Sequence, residues 1–107
     1  MSASQILQFA PFRLDLADER LWHAHEVVRL TPKAFAVLRC LIVQPGQLVT
    51  KDCLMDMVWP ETATSESTLA GCIWELRQAL GDSARTPQYI ETVHRRSYRF
   101  IAPVVDA

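Results

Sequence analysis

Residues 65–82, Ser-Glu-Ser-Thr-Leu-Ala-Gly-Cys-Ile-Trp-Glu-Leu-Arg-Gln-Ala-Leu-Gly-Asp, limit what this chain can become more than any other stretch. Leu69, Cys72, Ile73, Leu76 and Leu80 recur at i, i+3, i+4, i+7 and i+11, which puts them on one face of a helix. Ser65 or Ser67 can cap its start, and Gly81 supplies a left-handed stop just past Leu80. A single apolar stripe of that length has to lie on a core supplied by the rest of the chain. The opposite face is the unusual one. At about 100° per residue it carries Ser67, Gly71, Trp74 and Gln78, flanked by Ala70 and Arg77 on one side and Glu75 on the other. An outward indole wants something to lie on, and an outward glycine lets something come close.

The chain has 107 residues, enough for one domain with one core. With 50% hydrophobic and 21% charged residues it has the make-up of a folded globular protein rather than a disordered one. No apolar run approaches the roughly 20 residues of a membrane span, and Met1 to Gln5 lack a basic segment leading into an apolar one, so no signal peptide is expected. Three cysteines, Cys40, Cys53 and Cys72, lie far apart on or beside apolar faces. Buried free thiols in a reducing compartment are expected, not a disulfide. His23 and His25 lie two apart near a turn without further ligands at metal-binding spacing, so they read as surface histidines, and no metal or cofactor is expected.

The remaining elements follow from local pattern. Ile6–Phe9 and Phe12–Leu16 read as strands broken at Ala10-Pro11, the second alternating apolar and polar. Residues 20–23 and 27–30 form a second pair joined across Ala24-His25-Glu26, completing a small antiparallel sheet. Thr31 caps a helix with Pro32 at its first position, and Phe35, Leu38, Leu41 and Ile42 make its inward stripe up to Pro45-Gly46. Thr50 caps a second helix in which Leu54, Met57 and Val58 face inward. The 65–80 helix comes next. A β-hairpin closes the chain, with strands Tyr89–Val93 and Tyr98–Ile101 and a tip at His94-Arg95-Arg96-Ser97. Three helices with a short last connection fit a helix-turn-helix with a lengthened turn, a pattern that any three-helix bundle shares, and an arginine-rich hairpin tip fits a wing or a solvated charged turn that blunts sheet aggregation.

Net charge is −1, which is not the footprint of a strongly basic nucleic-acid binder. Charge is uneven, however: Asp15, Asp18, Glu19 and Glu26 come early, and His94, Arg95, Arg96 and Arg99 come late. A local basic patch on a neutral domain binds phosphate weakly per copy, so two copies on DNA, or help from another part of a longer protein, are expected.

A set of motifs in this order resembles the winged-helix DNA-binding domain of OmpR/PhoB-type regulators. They are Leu30-Thr31-Pro32-Lys33 with Phe35 and Leu38, Gln44-Pro45-Gly46, Leu48-Val49-Thr50-Lys51, Leu54, Val58-Trp59, Ile73 with Leu76-Arg77, Leu80-Gly81-Asp82, Ile90-Glu91-Thr92-Val93 and Tyr98-Arg99-Phe100. The resemblance covers about Phe9 to Ala102. It implies an α+β fold: an N-terminal four-stranded antiparallel sheet, three helices and a C-terminal β-hairpin wing. It also implies a third helix that reads the major groove, a wing at the minor groove, and an inter-helix loop that meets RNA polymerase, here Trp59, Pro60, Glu61, Thr62, Ala63 and Thr64. In response regulators this domain follows a receiver. A domain at the start of a chain is more similar to CadC- or ToxR-type one-component regulators, so residues 1–107, with a core over about 6–102, are expected to be a domain excised from a longer regulator. The domain itself is expected in the cytoplasm and off the membrane, whether or not a longer parent is anchored.

Four positions depart from the family pattern. Ala34 stands where a glutamate usually completes the capping box after Thr31, so that box is expected to be lost. Ser97 replaces a glycine and would be strained if that residue needs a positive φ. His94 occupies the place of a minor-groove arginine, a task that falls to Arg95 or Arg96. Trp74 and Glu75 stand where some members carry arginines, so Trp74 is expected to pack on a thymine methyl or the sugar edge and Glu75 to accept from cytosine N4.

The expected DNA-binding residues are therefore Ser67, Thr68, Gly71, Trp74, Glu75, Arg77, Gln78, His94, Arg95, Arg96 and Tyr98. Thr68, Arg77 and Tyr98 would position phosphates, Gly71, Trp74, Glu75 and Gln78 would face bases, and His94, Arg95 and Arg96 would form the wing contact. The alternative reading is a winged helix used only for protein–protein contact or dimerisation, with Trp74 as its anchor. No nucleophile–base pair, phosphate-cradling loop or paired carboxylates with a pocket can be placed, so no catalysis is expected.

Overall fold

A computed structural model describes residues 5–94 and 97–106. The chain order is β1 (Ile6–Phe9), β2 (Phe12–Asp15), β3 (Arg20–His23), β4 (Glu26–Val28), α1 (Pro32–Ile42), β5 (Leu48–Thr50), α2 (Lys51–Val58), α3 (Glu66–Leu80), β6 (Ile90–Val93), β7 (Ser97–Phe100) and β8 (Val105–Asp106). The first sheet runs β4-β3-β2-β1-β8 and the second β5-β7-β6, with every pairing antiparallel.

Local signals set the helix ends. The Thr31 hydroxyl accepts from the Ala34 amide, with Pro32 filling the first helical position. Thr50 caps α2 by accepting from the Cys53 amide at 3.1 Å. Of the two serines before α3, Ser65 is the cap: its hydroxyl accepts from the Thr68 amide. Gly81, at φ 68°, ends α3, and the Asp82 amide closes the turn on the Arg77 carbonyl at 2.8 Å.

The three layers meet on α1. Ala34, Val37, Leu38 and Leu41 are fully buried. They lie between the inner row of the first sheet (Leu14 and Leu21), the stripe of α3 (Leu69, Ile73, Leu76) and the inner side of the second sheet (Ile90, Phe100). The two sheets are joined through aromatic rings. Phe9 lies 5.5 Å from Phe12, 5.8 Å from Tyr89 and 5.1 Å from Phe100, mostly edge to face.

Five local readings change. Leu48–Thr50 is a strand on β7, not merely a crossing segment, and Val105–Asp106 adds a fifth strand to the first sheet beside β1. Met57 faces out, 56% exposed, and Cys53 is exposed one turn before it, with Sγ 3.9 Å from Met57 Sδ. In a helix of only 8 residues, Leu54 and Val58 suffice to seat α2. Ser97 is unstrained. It pairs with Thr50 and Val93 inside β7, and His94 carries the left-handed turn at φ 54°. Histidine tolerates that region better than most side chains.

Candidate nucleic-acid interface

The stripe of α3 predicted to be buried is the stripe that is buried: Leu69, Cys72, Ile73, Leu76 and Leu80. The opposite side is open. Ser67, Thr68, Ala70, Gly71 and Gln78 are exposed, and Trp74 stands out at 65% exposure. A Cβ built on Gly71 meets no heavy atom of the described residues within 4 Å. Nothing inside the fold therefore requires a glycine there, although glycine weakens a helix. Ser67, Gly71, Trp74 and Gln78 form one continuous outward strip. At its N-terminal end the Ser65 hydroxyl contacts those of Ser67 (2.9 Å) and Thr68 (3.1 Å).

Three residues expected to face a duplex are held by the protein instead. Both oxygens of the Glu75 carboxylate are engaged by Thr31, accepting its amide at 2.7 Å and its hydroxyl at 2.8 Å. Glu75 therefore does not project toward a cytosine. It supplies from α3 the carboxylate that Ala34 cannot supply within α1, so the capping box is completed across 44 residues rather than lost. Arg77 donates through Nη2 to the Ile90 carbonyl at 2.8 Å and the Thr92 hydroxyl at 3.0 Å, which seats β6 against α3. Tyr98 is only 4% exposed and packs inward, its ring 5.9 Å below Lys51 Nζ. Each residue lies on the flank or inner side of its element, where a neighbour reaches it before solvent does.

Lys51, Lys33 and Asp82 complete the frame, and the pattern of apolar residues did not single them out. Lys51 bridges to Glu66 at 3.5 Å, joining the start of α2 to the start of α3. Lys33 donates to the Val58 carbonyl at 2.9 Å and lies over Trp59, closing the end of α2. Asp82 accepts from the amides of Gln88 (2.7 Å), Tyr89 (3.2 Å) and Ile90 (2.9 Å), fixing the loop into β6. Burial alone would raise its pKa. Amides of Gln88, Ile90, Ser83 and Tyr89 outweigh burial and hold the carboxyl below its ordinary value. Burial pushes the thiols of Cys40 and Cys72 up.

The hairpin tip is exposed at His94, and Arg95 and Arg96 lie outside the described residues. The loop from Trp59 to Thr64 borders a cleft with Asp52, Met55 and Asp56 of α2. His23 lies against Phe12, ring centroids 5.0 Å apart and tilted by 39°.

Residues 25–100 match the family described as "Transcriptional regulatory protein, C terminal". The chain belongs to this family, the OmpR/PhoB-type domain of transcriptional regulators. As a family member it is a regulator's DNA-binding domain and not an enzyme. It is 37% identical over 97 residues to the transcriptional regulator HilA of Salmonella typhimurium, covering 91% of this chain but only 17% of HilA. The DNA-binding domain of E. coli CadC superposes with a TM-score of 0.82 at 21% identity, covering 99% of this chain and all of that one. The RstA DNA-binding domain of Klebsiella pneumoniae, solved in complex with its RstA box, superposes with a TM-score of 0.78 at 24% identity, covering 90% of this chain and 96% of that one. These two likenesses establish the winged-helix fold. No helix among the described residues is long and apolar enough to cross a membrane.

Proposed function

We propose that this OmpR/PhoB-type domain binds double-stranded DNA sequence-specifically as the output module of a bacterial transcriptional regulator. In this reading α3 lies in the major groove. Gly71, Trp74 and Gln78 face bases, Ser67 and Thr68 lie near phosphates at the helix start, and residues 94–97 reach the minor groove. One observation carries it: a 65%-exposed indole next to a glycine that no part of the fold requires, on the outward side of the third helix. The held residues refine the reading. Arg77, Glu75 and Tyr98 set the frame, leaving Trp74 and Gln78 as the large side chains free to read. The basic contribution falls to His94, Arg95 and Arg96. Arg95→Ala is expected to weaken binding by about 1 kcal/mol and to lower the salt dependence by about one phosphate contact.

With net charge −1, each copy binds weakly, and two copies on adjacent half-sites supply the affinity. The loop from Trp59 to Thr64 serves as the contact to RNA polymerase, with the cleft beside Asp52 and Asp56 as its receptive surface. The domain works in the cytoplasm.

Selection of bound duplexes from a random pool, followed by anisotropy titrations of the parent and Trp74→Ala, tests the reading. The parent should enrich one motif. Trp74→Ala should change which motif is preferred more than it changes affinity for unrelated DNA. An exposed indole also suits a protein interface. A parent that enriches no motif yet dimerises through Trp74 would establish that second reading instead.

A further inference from the structure

Glu75 has no local reason to be a glutamate. Its neighbours in the chain are Trp74, which faces out, and Leu76, which faces in. Its carboxylate reaches an amide and a hydroxyl of Thr31, at 2.7 and 2.8 Å, at the start of another helix. These are charge-assisted hydrogen bonds at the positive end of α1, where a carboxylate is stabilised by the helix dipole as well as by its two donors. Two bonds from one planar group fix direction as well as distance. They act on α3 one residue after Trp74 and on α1 at its cap, so they tie the rotation of α3 to the helix at the centre of the core.

We propose that Glu75 is a positioning residue for DNA reading. From α3 it supplies the capping carboxylate that Ala34 withholds from α1, and this clasp sets the rotation at which Gly71, Trp74 and Gln78 are presented. The proposal rests on the DNA-binding reading above only for its consequence. The clasp itself is a property of the fold.

Electrostatics and positioning predict opposite signs. Neutralising a carboxylate beside a polyanion should tighten binding if charge is all that matters. If the clasp positions α3, Glu75→Ala, which removes both the charge and the acceptors, should weaken binding to a selected duplex by about tenfold, on the order of one lost base contact. NMR of the 107-residue chain reads the clasp without DNA. In the parent the Thr31 amide proton should lie downfield and exchange slowly, and residual dipolar couplings should give one angle between α1 and α3. Glu75→Ala, which leaves no acceptor for either Thr31 donor, should lose the Thr31 signature and change that angle with both helices intact. Thr31→Ser, which keeps both donors, should match the parent. Binding is measured well below the melting temperature of each variant, so lost stability cannot imitate lost positioning. An unchanged angle, or equal or tighter binding by Glu75→Ala, overturns the proposal. If the parent itself binds no duplex, the DNA reading fails, and the angle alone decides whether the clasp positions α3.

Discussion

Gly71→Ala separates stability from function in one substitution. Gly71 lies in the middle of α3 with ordinary helical backbone, and a methyl added there meets no heavy atom of the described residues within 4 Å. The substitution should therefore recover the helix-propensity difference between glycine and alanine undiminished, about 0.8–1 kcal/mol. For a domain of this size that raises the melting temperature by about 3–8 °C. The same methyl projects into the outward strip between Ser67 and Trp74. If a duplex comes close at Gly71, the methyl must displace it or force a shift, and overpacking of that kind costs about 1–3 kcal/mol. Binding to a selected duplex should then fall by roughly fivefold or more. Thermal melts give the first quantity. Anisotropy titrations at one fixed salt concentration give the second, since DNA affinity depends steeply on salt. A more stable variant that binds as well as the parent would refute close approach at Gly71. A less stable variant would refute the open space around it.

Other perturbations test the frame. Asp82→Asn should destabilise the fold by about 2 kcal/mol near neutral pH, because three backbone amides lose a charged acceptor. The folded-state pKa of Asp82 is depressed, so its contribution is full above the unfolded value of about 3.9 and is lost as pH falls through the folded one. Denaturation of parent and variant should therefore converge in acid, and a gap constant with pH would contradict this. Arg77→Ala should lower stability by about 1–3 kcal/mol and raise amide exchange in β6, since it removes the donor to Ile90 and Thr92; unchanged exchange there would exclude the seating role. Thiol labelling should give one fast phase, abolished by Cys53→Ser, because Cys53 is exposed while burial raises the pKa of Cys40 and Cys72.

The elements legible in the sequence are those with a local cause. Thr31-Pro32, Thr50, Ser65 and Gly81 each act on amides or carbonyls within a few residues, and the stripe of α3 is periodic enough to leave no choice of face. Strands β5 and β8, of 3 and 2 residues, have too little length for a pattern and exist because β7 and β1 offer partners. Within the interface, periodicity placed Trp74 and Gly71 outward, and the structure leaves both open. It placed Glu75 and Arg77 on flanks, but an angle on a wheel does not say what lies beside the flank. Their partners are 44 and 13 residues away in the chain. Tyr98 is the same kind of case. Alternation identified its strand, and the inward side became plain only once β5 and Lys51 were in place.

The pairing of β8 with β1 has a practical consequence. The cleft bordered by Leu7, Val104 and Asp106 also takes in Ile42 and Val43, at the opposite end of α1 from Thr31. The 11 residues of α1 separate those ends by about 16 Å. An affinity tag, a dye or a sensor-chip linker joined near residue 5 or residue 106 is therefore held on the far side of that helix from the Thr31–Glu75 contact. Immobilisation through either extremity should leave oligonucleotides free to reach α3, whereas coupling through lysines would anchor some molecules at Lys51 and obstruct it.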